Sequence, residues 1–130
     1  MRIERFSIGT GDRFGCQGKA QLQALVDAKK HGVDLVPVWN KSHREHTTIG
    51  SAPAAVRSEA DKAVRDLNWK GSHYVDADHI GLDNVDLFVD SSNFFTLDVA
   101  DFTGQEADDA AIAEFTTKYS KLYAGSLSIP

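Results

Sequence analysis

The heptapeptide Tyr74-Val75-Asp76-Ala77-Asp78-His79-Ile80 brings two carboxylates and an imidazole together after an apolar approach. Side chains alternate along a β-strand, so Asp76 and Asp78 share one face, while His79 at the strand's end can turn to either. A general base beside a metal ligand is the chemistry this pattern offers. The plainer alternative is a strand that ends in an Asp turn and a helix N-cap. A second strand candidate, Phe94 to Asp101, also ends in carboxylates, Asp98 and Asp101. Carboxylates crowded at neighbouring strand ends repel one another unless a cation lies between them, which points to a divalent metal. One histidine among carboxylates suits zinc, manganese, nickel or iron, and His79 is the one convincing ligand. His43 and His46 are three apart in a polar stretch, Asn40 to Pro53, that reads as a loop; the pair offers a metal site, but nothing fixes them on a helix face, so they read as solvated side chains. Lys41 and Arg44 in the same stretch would attract and orient an anion.

The elements that must position these residues follow from periodicity. Strands are predicted over Ile3–Ile8, Val33–Trp39, Ser72–Asp78 and Phe94–Asp101, with Pro37 an awkward occupant of the second. Helices are predicted over Gln17–His31, Ala54–Leu67 and Asp108–Ala124, and a short helical segment over Leu82–Phe88. Gly32 follows Lys29, Lys30 and His31, as a helix C-terminus requires. The last helix presents Ala111, Ile112, Phe115, Tyr119 and Leu122 on one side. This order reads as four consecutive βα units in one α/β domain spanning 1–130, half of an eight-stranded barrel whose whole takes about 250 residues. A small open α/β sheet is the competing architecture. The half-barrel leaves strand edges one and four unpaired, which predicts self-association or pairing with a missing C-terminal half.

Composition narrows the partners. A net charge of -5 argues against a nucleic-acid surface. No apolar run approaches the roughly 20 residues that cross a bilayer. No secretory leader is evident after Met1, and the single cysteine, Cys16, suits a reducing compartment, so the cytoplasm is expected. Gly9-Thr10-Gly11-Asp12-Arg13-Phe14-Gly15 misses the dinucleotide-binding spacing by one residue, and Trp39-Asn40-Lys41 stands where that site needs a carboxylate. Its glycines instead let backbone approach a ligand while Arg13 offers a planar fork to a carboxylate; the plainer alternative pairs Asp12 with Arg13.

Phe6 to Gly15, Ser42-His43-Arg44-Glu45, Val75-Asp76-Ala77-Asp78-His79 and Phe95 to Asp101 occur in one order and at compatible spacing. Together they resemble the tagaturonate epimerase family, from about Arg5 to Thr103. The resemblance implies a metal-dependent sugar-acid epimerase that interconverts tagaturonate and fructuronate, with Asp78 as proton acceptor and His79 as a metal ligand. It makes Asp12, Arg13, Asn40, Lys41, Arg44, Asp76, Asp98 and Asp101 the candidates for holding an anionic sugar acid. Family chains are several times longer, with the general acid and remaining ligands downstream, so the resemblance implies an N-terminal portion inactive alone. The inverted carbon is β to the ketone and its hydrogen is not acidic, which favours a retro-aldol route over enolisation. The competing readings are a non-catalytic α/β fragment that works only through a partner chain, and a different metal-dependent sugar isomerase or aldolase.

Overall fold

The structure, a computed structural model, describes residues 3–123, with side chains to residue 120. It divides into two compact units, Met1–Asp98 and Val99–Pro130. The first holds a four-stranded sheet in the order β1 (Ser7–Gly9), β2 (Val36–Ser42), β3 (Tyr74–Ile80), β4 (Phe94–Leu97), every pair parallel. An order that follows the chain without reversal has no topological switch point, which separates it from a doubly wound sheet. Helices α1 (Gly18–Lys30) and α3 (Pro53–Asp66) pack on each other and on one face of β2 and β3. The result is α/β and half-barrel-like, as the sequence predicts.

That outer face carries the main core. Leu22 of α1, Trp39 of β2, Val56, Ala60 and Ala63 of α3 and Val75 of β3 form one buried cluster. Burying a side chain such as Leu22 contributes about 1.5–3 kcal/mol, which anchors the helices to the sheet. The opposite, inner face follows the alternate residues: Val36, Val38 and Tyr74 cluster there with Phe94. Further along the same strands that face becomes polar, through Asn40 and Ser42 on β2 and Asp76 and Asp78 on β3, in register with each other.

Several boundaries differ from the predicted ones for identifiable reasons. β2 begins three residues late and runs through Asn40-Lys41-Ser42. Pro37 is tolerated because β2 pairs with β3 only from Val38 onward, while Val36 N–H donates to Phe6 O on the β1 side and Thr10 N–H to Val38 O. The prolyl nitrogen thus faces a position where no ladder bond exists. The stretch Asn40 to Pro53 is not a loop, because helix α2 occupies His43–Ile49. Ser42 Oγ accepts from Glu45 N–H while the Glu45 carboxylate accepts from Ser42 N–H, a reciprocal capping box, and Gly50 closes the helix at φ 67°.

Between β3 and β4 the expected helix over Leu82–Phe88 shrinks to a 3-10 turn, Val85–Leu87, so the third repeat of the strand–helix pattern is incomplete. Asn84 Oδ1 accepts from Gly81 N–H at 3.0 Å, and such local bonds compete with a helix start. Asn93 then leads the chain into β4, its Oδ1 accepting from Val75 N–H and its own N–H donating to Val75 O. In the second unit a 3-10 turn, Ala100–Phe102, precedes helix α4, Asp109–Tyr123. Phe115 and Tyr119 of its predicted apolar side are in contact, ring centroids 4.7 Å apart. The Leu122 side chain and Ala124 lie outside the described residues.

Candidate active site

β3 does not end at Asp78 but continues to Ile80, with an irregularity in its pairing with β4 between Ala77 and Ile80. Within it His79 adopts φ 55°, a left-handed conformation that a side chain other than glycine's enters at a cost of order 1 kcal/mol. On an unbroken strand Asp78 and His79 would point to opposite faces. The bulge brings them together instead: His79 Nδ1 lies 2.8 Å from Asp78 Oδ1. The Asp78 side chain is 16% exposed and the imidazole 64%. Sequence reading gave these two residues as neighbours and could not give the contact.

His79 of this pair lines a cavity of about 290 Å³ together with Ser42, His43, Arg44, Asn84 and Asp98. Three elements build it. The capping box fixes the first turn of α2 and with it His43 and Arg44; the bulge supplies His79. The β4 end is pinned by Asp98 N–H donating to Ile80 O at 2.9 Å. Ser42 was not singled out as a site residue from the sequence, and His43 was read as a solvated loop side chain, although Ser42-His43-Arg44-Glu45 is a capping-box spacing that places both at a helix start. Asn84 carried no signal of its own.

One side-chain layer below, Asn40 and Asp76 face each other in register. Asp76 is 6% exposed and its Oδ2 accepts from Thr96 Oγ1 at 2.7 Å. Loss of water pushes its carboxyl above the ordinary range, against the Thr96 bond, and the Asp78 charge adds to the rise. Asp76 Oδ1 and Asn40 Oδ1 are both buried without a hydrogen-bond partner.

A family model for tagaturonate epimerase, UxaE, matches residues 1–127. The chain belongs to the tagaturonate epimerase family. Two crystal structures of the fructuronate-tagaturonate epimerase UxaE from Cohnella laeviribosi share its fold. The one described with one glycerol is 23% identical with TM-score 0.62, covering 96% of this chain and 24% of that one. The one described with two glycerols is 21% identical with TM-score 0.60, covering 88% of this chain and 26% of that one. The chain thus spans about a quarter of the length of these solved relatives. No curated protein matches it.

Within the first unit, Asp12, Arg13 and Lys41, also expected to hold substrate, are not among the residues that line the cavity. Asp12 accepts from the backbone N–H groups of Phe14, Cys16 and Gln17 at 3.0, 2.7 and 2.6 Å. Partial burial works against its charge, but these donors and Gly15 N–H outweigh it and lower its pKa. It closes its own loop rather than pairing with Arg13. Lys41, on the outer face with Trp39, is 3% exposed and donates from Nζ to Arg13 O at 2.9 Å. Lys41 and Arg13 both act electrostatically on Glu45, whose pKa is lowered first by the bond from Ser42 N–H. Asp101 belongs to the second unit.

Among the described residues no group of three or more His, Cys, Asp or Glu is arranged to hold a metal. The donors fit a cation in part. A carboxylate on Nδ1 leaves His79 Nε2 as the outward donor, the arrangement that orients a metal-bound histidine. His46 is neither a ligand candidate nor a solvated loop side chain: it is 2% exposed, its Nδ1 is 2.8 Å from Ser51 Oγ and its ring lies 5.9 Å from that of Phe88. Burial lowers its pKa from 6.5 to about 4, with Lys41 adding to the fall. An unfolded chain takes up this proton near pH 6.5 and the folded chain only near 4, so stability is full above that window and falls as pH drops through it. The limiting slope is about 1.4 kcal/mol per pH unit. Urea midpoints at pH 7 and 5 are expected to drop less in His46→Gln than in the unaltered protein; equal drops contradict the assignment.

Proposed function

We propose that this chain supplies the base and one metal ligand of a hexuronate epimerase that interconverts tagaturonate and fructuronate. The observation that carries the reading is the Asp78–His79 contact, 2.8 Å, at a mouth shared with Arg44. Asp78 takes the hydroxyl proton at the carbon to be inverted. The bond between that carbon and its neighbour beside the ketone then breaks, giving an aldehyde and an enediolate. The aldehyde turns, the bond re-forms on its other face, and Asp78 returns the proton. Arg44, with His43 beside it, holds the substrate carboxylate in the charge-assisted manner guanidinium groups favour.

His79 offers Nε2 to a divalent cation, zinc, manganese, nickel or iron, whose other ligands come from polypeptide outside these four strands. Such a cation stabilises negative charge that develops on oxygen. No helix among the described residues is long and apolar enough to cross a membrane. With that, the free exposed Cys16 supports a cytoplasmic setting.

Among the described residues β1 and β4 each pair on one side only, and on their outer faces Ile8 is 44%, Phe95 41% and Leu97 68% exposed. Parallel sheets are covered on both faces, which supports assembly with a second copy or with the remaining half of the barrel. Light scattering is expected to give the chain alone a mass above its 14.2 kDa; a strict monomer at all concentrations contradicts pairing with its own copy. In a full-length family enzyme, the substitution equivalent to Asp78→Asn is expected to slow interconversion by roughly 10²-fold or more, read by carbon NMR of the two ketouronates. An unchanged rate removes Asp78 from the role of base.

A further inference from the structure

The turn that follows β3 folds a neutral side chain back over the strand's end. Asn84 Oδ1 accepts from Gly81 N–H at 3.0 Å, while Asn84 N–H donates to Gly81 O at 3.4 Å. A backbone N–H can only donate, so the carboxamide atom that meets it is the oxygen and Nδ2 is the free end. That nitrogen has no hydrogen-bond partner among the described residues and is not buried. Because Asn84 lines the cavity with His79, Nδ2 is the polar atom it offers there, a donor whose direction the Gly81 bond has already set. The turn itself is firmly seated. Val85 N–H also donates to Gly81 O, at 3.1 Å, and Val85 packs against Ala77, Ile80 and Phe88, the last only 1% exposed. The charged side chains of the same wall, Arg44 and Asp98, have opposite signs, so charge alone does not choose what enters.

We propose that Asn84 is a substrate-binding residue of this cavity, its Nδ2 donating to the carbonyl oxygen of a hydroxy ketone. A carboxamide whose oxygen is taken can only give hydrogen bonds, so it receives a carbonyl or hydroxyl oxygen and offers nothing to a bare cation or an ammonium group. A donor fixed before the ligand arrives is worth most where negative charge develops during reaction. In the epimerase reading, on which the identity of the ketone rests, that atom is the ketone oxygen beside the breaking bond. It gains charge as the enediolate forms and loses it when the bond re-forms. The donor itself rests on the bond from Gly81 N–H and stands without that reading.

Two probes separate the two claims, hydroxyacetone for an uncharged hydroxy ketone and D-fructuronate for a ketone that also carries a carboxylate. Each is titrated into the isotopically labelled chain, and the Asn84 side-chain NH2 resonance is followed with the backbone amides of Arg44 and His79. Both probes are expected to move the Asn84 NH2 resonance, and fructuronate alone the Arg44 amide. Asn84→Asp keeps an acceptor for Gly81 N–H and the shape of the side chain but exchanges the free donor for a charged acceptor. It is expected to weaken both probes by roughly tenfold, read at His79, because a ligand oxygen then meets an acceptor in place of a donor. Unmoved Val75 and Asn93 amides in the ligand-free variant establish that the fold is kept. An Asn84 NH2 resonance that neither probe moves overturns the assignment, as does binding indifferent to Asn84→Asp. Hydroxyacetone that moves Asn84 while fructuronate moves nothing in the cavity leaves the donor standing and contradicts the ketouronate reading. Fructuronate that moves Arg44 and His79 but not Asn84 does the reverse.

Discussion

A single irregular step in β3 determines what this site can do. Regular alternation would bury Asp78 on the inner face and send His79 to the outer one, where the helices α1 and α3 pack. The left-handed turn at His79 instead sets its imidazole against the Asp78 carboxylate and leaves it 64% exposed at the strand's end. The conformation costs of order 1 kcal/mol, and two neighbours hold it in place. Ile80, 2% exposed, packs with Ala77 and Phe88 beyond the bulge, and Asp98 N–H donates to Ile80 O. The apolar side chain just past the Asp78–His79 pair therefore acts as the anchor against which the strained residue is held.

Polarity on the inner face is graded along the strands. It begins apolar at Val36, Val38 and Tyr74, passes through acceptors at Asn40 and Asp76, and ends in ionisable groups at Asp78, His79 and Asp98. Burial falls along the same direction, from Tyr74 at 4% exposed to the imidazole at the mouth. Charge is thereby kept where water or a ligand can reach it, and the deepest carboxylate, Asp76, is the one pushed toward its protonated form.

How legible this was differs from element to element. α1 and α3 were read within a residue of their ends because leucine spacing, lysines in the last turn and Pro53 at the first turn of α3 all agree with the helix. β2 was read three residues too early because Asn40-Lys41-Ser42 lacks the apolar character that marks a strand. Those residues are polar because they line two different surroundings, the inner face at Asn40 and Ser42 and the loop after β1 at Lys41. α2 carried a sequence signal in Ser42 and Glu45, but two histidines drew attention to metal binding; His46 proved to be a core residue bonded to Ser51. The bulge had only a weak signal, since histidine is enriched among non-glycine residues at positive φ yet is found there in only a small minority of cases. Asn40 and Asp76 could be placed on one face by counting, yet their unpaired oxygens are visible only once Thr96 is seen to occupy one side of the carboxylate.

The account stands on the bond between Asp78 and His79 Nδ1, because that bond makes Nε2 the donor that faces the cavity. Long-range proton–nitrogen correlation of the His79 imidazole at pH 8 reports directly which nitrogen carries the proton. A proton on Nδ1 and a bare Nε2, with the population moving toward the other tautomer in Asp78→Ala, is the predicted result. A proton on Nε2 in both proteins would contradict it.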